Sequence, residues 1–390
     1  MCDINNSDTK NRLGTKTIPV AEAVGMVLAH DITEIRKDEF KGRAFKKGHI
    51  VSEEDVPHLQ RLGKEHLFVL SIGDDDVHEN DAAFALAGAL MGDGVKMEGE
   101  PKEGKIDILA ARDGLLKIDT DALFRFNMLG EVMCASLHNN TLVKQGRLVA
   151  GTRAVPLVVK RTIVDEAVAI AKDRRGARGK GQGVIEVKEV RKPKAGVVIT
   201  GNEVYQGKIK DAFAPVVTKK IKAVDGEIVG IHYAPDDEEF IESRLRELID
   251  AGADLLITTG GMSVDPDDVT RFAIRNLGVP ELYYGSAVLP GAMFLVAYLE
   301  KGPRVQGSKG SSENQFPGPS NPRTLDPTTI PILGIPACGM YSNVTIFDLV
   351  LPRVLAGEKV GRKELAEMGH GGLCLKCKKC QYPVCPFGKY

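Results

Sequence analysis

Apolar residues follow two different periods along this chain, and the change between them divides it. From residue 195 onward, short unbroken apolar runs alternate with stretches in which apolar residues recur every three or four positions. AGVVITGNEV reads as a strand buried on both faces. Ala212 to Val224 puts Phe213, Val216, Val217, Ile221 and Val224 on one helical face. Glu227 to Tyr233 reads as a second strand. Glu239 to Ile249 reads as an amphipathic helix (Phe240, Leu245, Leu248, Ile249) that stops at Gly252. The run ADLLITT, 253 to 259, is a third buried strand. Asp265 to Asp268 precede Val269, Phe272, Ala273 and Leu277, so they start a helix with carboxylates at its positive end. ILGIPACGM adds a strand and a glycine turn, and Tyr341 to Leu355 the closing helix. This alternation predicts an α/β fold, a three-layer αβα domain with a mainly parallel sheet.

Before residue 174 the pattern is irregular. Residues 17 to 31 read as a strand and a short helix. Ser52 and Asp55 make a capping box for a helix carrying Val56, Leu59 and Leu62, stopped by Gly63 and followed by a strand over His66 to Leu70. A helix is expected around 81 to 91, a hairpin whose second arm follows Asp113-Gly114, and strands near 131 to 137 and 155 to 160. The whole is an α+β region. The expected organisation is therefore 1–173 α+β, 174–194 a basic linker with one strand inside, 195–358 the αβα domain, and 359–390 a cysteine-rich tail. Residues 302 to 329, rich in Gly, Ser and Pro, read as a mobile insertion in the domain.

The 52 basic and 53 acidic residues leave no global positive charge for nucleic acid. No apolar stretch reaches the length of a membrane span, and the polar start lacks the apolar core of a signal peptide. The expected compartment is the cytoplasm. Seven cysteines in that setting point to metal or thiol chemistry.

Three strand ends carry glycine with small polar residues: Thr200-Gly201-Asn202-Glu203, Thr259-Gly260-Gly261, and Gly334 to Gly339. Parallel connectivity gathers such ends on one edge, where backbone N–H groups can hold phosphate. Asp211, Asp265, Asp267 and Asp268 add negative charge that would repel a phosphate unless a cation intervened. Mg²⁺, which bridges carboxylate to phosphate, is the expected one.

The stretches TGNEVYQGKIKDAF, TTGGMSVDPDDVT, LPGAMF, GIPACGMYSNV and IFDLVLPRVLAGE together resemble the molybdopterin-binding domain of molybdenum cofactor biosynthesis proteins, over roughly 195 to 357. VAEAVGMVLAHDI and GRAFKKGHIVSEEDVPHLQRLGKEHLFV resemble pieces of the molybdenum insertase subfamily. The resemblance implies binding of molybdopterin, or adenylated molybdopterin, and insertion of molybdate with Mg²⁺ and release of AMP. Asp268 and Asp211 would hold Mg²⁺ and be catalytic. Thr200, Gly201, Glu203, Thr259, Gly260, Gly261, Ser263, Pro290, Gly291 and Cys338 would bind the cofactor, with Ser263 and Cys338 facing the dithiolene. The resemblance also implies a homodimer.

The sequence departs from the insertase pattern at several positions. Pro266 stands for an aspartate, Ala292 for a lysine after Pro290-Gly291, and Pro336-Ala337-Cys338-Gly339 for a Pro-Gly-Asn-Pro turn. The Met-Asp-Gly-Tyr-Ala signature has no counterpart. These departures keep two alternatives open: a non-catalytic molybdopterin carrier or chaperone, and a nucleotide pyrophosphatase of the competence/damage-inducible family, which the ending Asp267-Asp268-Val269-Thr270 resembles. Cys338 itself reads either as a small buried side chain or as a thiol at the ligand.

The tail spaces Cys374, Cys377, Cys380 and Cys385 as C-x2-C-x2-C-x4-C-P. Four thiolates so close suit Zn²⁺ or an iron–sulfur cluster, with His370 as a substitute ligand. Such a tail would dock onto a molybdoenzyme or its maturation factors, or sense redox state.

Overall fold

The computed structural model describes residues 15–36, 40–70, 73–173, 183–262, 269–300, 325–326 and 328–389. The expected insertion therefore falls largely outside the described residues, as do Ser263 to Asp268 and residues 174–182 of the basic run. The chain divides into two compact units. One comprises Met1–Arg112, Lys117–Leu137 and Lys144–Val187; the other comprises Asp113–Leu116, His138–Val143 and Lys188–Tyr390. Among the described residues no helix is long and apolar enough to cross a membrane.

The first unit is rich in β-structure. Strands Thr15–Pro19 and Val27–Leu28 flank His66–Leu70, the strand expected there, and Leu59 of helix Asp55–Arg61 is buried in the same small core. Ser52 donates from its amide and its hydroxyl to Asp55 at 2.8 and 2.7 Å, so the predicted pair forms. A second, antiparallel sheet runs in the order Val132–Ser136, Leu148–Ala154, Lys105–Ala110, Val95–Lys102, with helices Glu79–Leu90 and Arg161–Lys172 packed together beside it.

The hairpin expected at Asp113-Gly114 does not form. Lys105–Ala110 instead folds back on Val95–Lys102 through Glu103 and Gly104, both at positive φ. Gly114 to Leu116 pair with Thr141–Val143. With Lys102 paired to Lys105, Glu103 and Gly104 make a two-residue turn with both φ values positive, the geometry that favours a hairpin.

The second unit holds the alternating fold. Its strands and helices in chain order are β1 (Lys194–Thr200), α1 (Phe213–Lys222), β2 (Glu227–Ala234), α2 (Glu238–Asp250), β3 (Leu255–Thr259), α3 (Thr270–Asn276), β4 (Glu281–Tyr284), β5 (Leu295–Glu300), β6 (Thr329–Ile335), α4 (Ile346–Leu355) and α5 (Arg362–Glu367). The sheet order is β2-β1-β3-β6-β5-β4. The first four strands are parallel, β5 is antiparallel to β6, and β4 to β5. Alternate residues of β1 and β3 face opposite layers. Val197, Ile199, Leu255 and Ile257 join α1 and α4, whereas Val198 and Leu256 join α2 and α3. Burial on both faces is why these strands read as unbroken apolar runs.

Three boundaries differ from expectation. The closing helix begins at Ile346 rather than Tyr341, because Thr345 and Asp348 form a capping box: the Thr345 amide donates to Asp348 at 2.8 Å, and the Phe347 amide to Thr345 Oγ1 at 3.2 Å. β6 already begins at Thr329, and Leu325 packs against the core, so the expected insertion ends earlier than 329. The tail is packed rather than appended. Leu365, Met368 and Phe387 belong to the same buried cluster as β1 and α4.

Candidate functional site

The carboxyl ends of β1, β3 and β6 lie side by side. Ile199 is registered with Thr259, and Thr259 with Ile335. Beyond β3 the chain turns through Gly260 and Gly261 at φ +83° and +55°. A side chain has no room there. A Cβ on Gly260 would stand 2.6 Å from the Thr200 carbonyl oxygen, and one on Gly261 would overlap the Thr270 hydroxyl. The Thr200 hydroxyl knits this corner by donating to the Thr259 carbonyl at 2.9 Å and lying 3.2 Å from Thr270 Oγ1. Met262 follows. Its carbonyl accepts from the Tyr284 hydroxyl at 2.5 Å, and its thioether rests on Gly334 of β6.

A cavity of about 550 Å³ opens over this edge. Four segments line it: Gly260 to Met262, Leu289 to Met293, Pro336 to Cys338, and Leu373, Cys374 and Lys376 of the tail. Of the expected ligand-binding residues, Gly260, Gly261, Pro290, Gly291 and Cys338 are on its wall. Thr200 and Thr259 are buried behind it, while Gly201 and Glu203 follow β1 without reaching it. Ser263 and Asp268 lie outside the described residues. The hydroxyls of Thr258 and Thr259 have no hydrogen-bond partner among the described residues, which leaves buried polar capacity next to the glycine turn.

Asp211 does something else. Its carboxylate accepts the amides of Phe213 at 2.7 Å and Ala214 at 3.0 Å, and the Tyr233 hydroxyl at 3.2 Å. It caps α1 and is not on the cavity wall. Burial, followed by the charge of Asp211, raises the pKa of the Tyr233 phenol. Among the described residues no three His, Cys, Asp or Glu side chains are placed to hold a metal. The described donors therefore do not compose a Mg²⁺ site.

The tail is hydrogen-bonded to the cavity wall. The Leu289 amide donates to Gly372 and the Cys374 amide to Leu289, both at 2.8 Å, and Leu289 and Leu373 form a parallel bridge. Cys374, Cys377, Cys380 and Cys385 line a second cavity of about 340 Å³ that shares Pro290, Leu373, Cys374 and Lys376 with the first. Cys374 and Cys385 pack against the core, whereas Cys377 and Cys380 are exposed. The four thiols thus surround one space without closing to ligation distance. His370, expected as a substitute ligand, is not on that wall.

Burial pushes the Cys338 thiol up, and the charge of Lys376 offsets part of that. The tail's place in the wall has little signature in the sequence. Its only sequence signal is the apolar Leu373 and Leu375 beside the cysteines, which the metal spacing overshadows.

Residues 196–355 match the family described as "Probable molybdopterin binding domain", and residues 17–71 a domain of unknown function, DUF8806. A CinA-like protein of Mycolicibacterium paratuberculosis is 29% identical over 223 residues, covering 50% of this chain and 51% of that protein. A CinA-like protein of Mycolicibacterium gilvum is 38% identical over 89 residues, 22% of this chain and 21% of that one. The chain thus spans about half the length of the first relative and about a fifth of the second. Among solved structures, the tungsten cofactor synthesizing protein MoaB of Pyrococcus furiosus is 17% identical, covering 43% of this chain and 97% of its own, at a TM-score of 0.30. Residues 196–355 are thus similar to a probable molybdopterin binding domain, and the chain is similar in part to CinA-like proteins.

Proposed function

We propose that this protein binds molybdopterin at the carboxyl edge of the sheet and carries it, without inserting molybdate. The observation that carries this reading is where the departures from the insertase pattern fall. Ala292, Ala337 and Cys338 are all on the cavity wall. The substitutions therefore change the chemistry of the site itself while leaving the Gly260-Gly261 turn intact. Losing a lysine at 292 removes a point charge suited to phosphate. The turn at Gly260-Gly261 supplies backbone amides for an anion. Met262, Leu289, Met293 and Leu373 offer apolar surface for a flat ring system, and the thiols of Cys338 and Cys374 stand in the same wall for a sulfur-bearing ligand.

The cysteine tail is read as a Zn²⁺ or iron–sulfur site that docks a molybdoenzyme or its maturation factors. Its spacing and the shared cavity of the four thiols support this. Binding would draw Cys377 and Cys380 inward toward Cys374 and Cys385. Metal analysis of the purified protein, with visible absorption, separates the two metals. Protein without either one overturns the tail reading.

The resemblance of Asp267-Asp268-Val269-Thr270 to the competence/damage-inducible family, together with the similarity to CinA-like proteins, supports a second reading, hydrolysis of a nucleotide pyrophosphate. A single-turnover assay with adenylated molybdopterin, with and without molybdate, decides among the three. The carrier retains the pterin and releases no AMP. Release that requires molybdate makes it an insertase, and release without molybdate makes it a pyrophosphatase.

A further inference from the structure

We propose that Lys376, presented by the cysteine tail, is the cation that holds the anionic end of the ligand in the strand-end cavity, in place of the charge that Ala292 does not supply. This rests on the reading of that cavity as a molybdopterin site and names the residue that recognises the phosphate.

The first observation is the composition of the wall. The described residues on it are glycine, alanine, proline, leucine, methionine and cysteine, with one charged side chain, Lys376. Among the described residues, an anion entering the cavity meets the Gly260-Gly261 turn and one ammonium group. Ala292 is on the same wall, so the missing charge and its replacement face one space. An ammonium is a compact donor of three hydrogen bonds and needs no fixed fork geometry, which lets it serve from a different backbone position.

The second observation is the backbone of Lys376 itself. It lies at φ +50°, in the left-handed region that a side-chain-bearing residue rarely adopts. Glycine would fit there without that cost. A lysine kept in a strained conformation at a cavity wall fits a functional demand on its side chain.

The third is how the tail is fixed. Hydrogen bonds between Leu289 and both Gly372 and Cys374 tie the segment to the loop that carries Pro290, Gly291 and Ala292. Lys376 stands between Cys374 and Cys377 and lines both cavities. Whatever holds the thiols also fixes where this ammonium stands.

The test is equilibrium binding of molybdopterin and of its dephosphorylated form to the full chain, as wild type, Lys376→Ala, Lys376→Arg and Lys376→Gly, with urea unfolding of each. Wild type should prefer the phosphorylated ligand. Lys376→Ala should lose about 10-fold to 100-fold in affinity for it, the size of a hydrogen bond to a charged group, with little change for the dephosphorylated form. Lys376→Arg should recover most of the loss. Lys376→Gly should bind as weakly as Lys376→Ala while unfolding at equal or higher urea, because strain and charge leave together. Lys376 is exposed, so Lys376→Ala and Lys376→Arg should unfold at nearly the urea concentration of wild type. Equal affinity of wild type and Lys376→Ala for the phosphorylated ligand overturns the assignment of Lys376 and leaves the pterin site standing. Equal loss for both ligand forms also overturns it, since the charge would not be reading the phosphate. Failure of wild type to bind either form overturns the pterin reading and this proposal with it.

Discussion

The carboxylate of Asp211 accepts the amide of Phe213 at 2.7 Å, and so a residue expected to hold a metal caps a helix. Its other oxygen takes the Ala214 amide and the Tyr233 hydroxyl. Both amides belong to the first turn of α1, whose N–H groups have no partner within the helix. Asp211→Ala should therefore lower the unfolding free energy by about 0.5–2 kcal/mol. Asp211→Asn should cost much less, because an asparagine oxygen caps nearly as well. Urea unfolding of the two variants checks this. An Asn variant as unstable as the Ala variant would mean that the charge, not the cap, matters.

The glycine turn after β3 should tolerate nothing larger. Gly260→Ala puts a Cβ within 2.6 Å of the Thr200 carbonyl oxygen at a residue whose φ is +83°. The left-handed backbone alone costs about 1–2 kcal/mol for a residue with a Cβ, and the clash displaces the corner knitted by Thr200, Thr259 and Thr270. Lower stability and lost molybdopterin affinity should appear together, read by urea unfolding and equilibrium binding. Gly207 also lies at positive φ, but no atom stands within 4 Å of its Cβ position. Gly207→Ala should therefore cost only the backbone share. If the two variants unfold alike, the close approach at Gly260 contributes nothing.

The αβα domain was legible because its strands are buried on both faces. Burial of that kind writes itself as unbroken apolar runs, and the helices between them keep a clear period. β5 and β4 return antiparallel, which periodicity does not distinguish. The glycine corner at Gly260-Gly261 was legible too, since the same glycines serve backbone geometry and cavity shape. Asp211 is less legible, because an aspartate before a helix serves as a cap or as a ligand with the same neighbours in sequence, and here it accepts two amides of the first turn. The tail hides a second role. Its cysteine spacing draws attention to metal, yet Cys374 also occupies the cavity wall, through pairing between Leu289 and Leu373 that lie 84 positions apart. No local pattern reports a contact of that range.

Cys134 tests the burial of the first unit. It is 2% exposed, and burial pushes its thiol up to about 12. At about pH 8 roughly one molecule in ten thousand then carries the reactive thiolate. Iodoacetamide applied to the native protein should label Cys377 and Cys380, which are exposed, and spare Cys134. Peptide mass spectrometry reads each site separately. Labelling of Cys134 at the rate of the tail cysteines would show that this unit opens readily, since exchange with the unfolded state would then supply the thiol.

Glu79 gives a pH dependence of definite sign. Its side chain is 4% exposed, with Arg153 Nη2 3.9 Å away. Burial raises its pKa above the ordinary 4.5, and the nearby charges of His78, Arg153 and Lys47 only partly oppose this. In the window between the unfolded and the raised folded value, the native state holds a proton that the unfolded chain has released. Stability therefore falls as pH rises through that window. Below about pH 4.5 both states are protonated and the penalty is absent. Glu79→Gln removes the ionisable group and keeps the shape. It should raise stability at about pH 7, with the advantage shrinking as pH falls and vanishing below the ordinary carboxylate range. Paired urea unfolding curves across that range measure it directly. If the variant is instead less stable at neutral pH, the Arg153 ion pair outweighs the burial of the carboxylate.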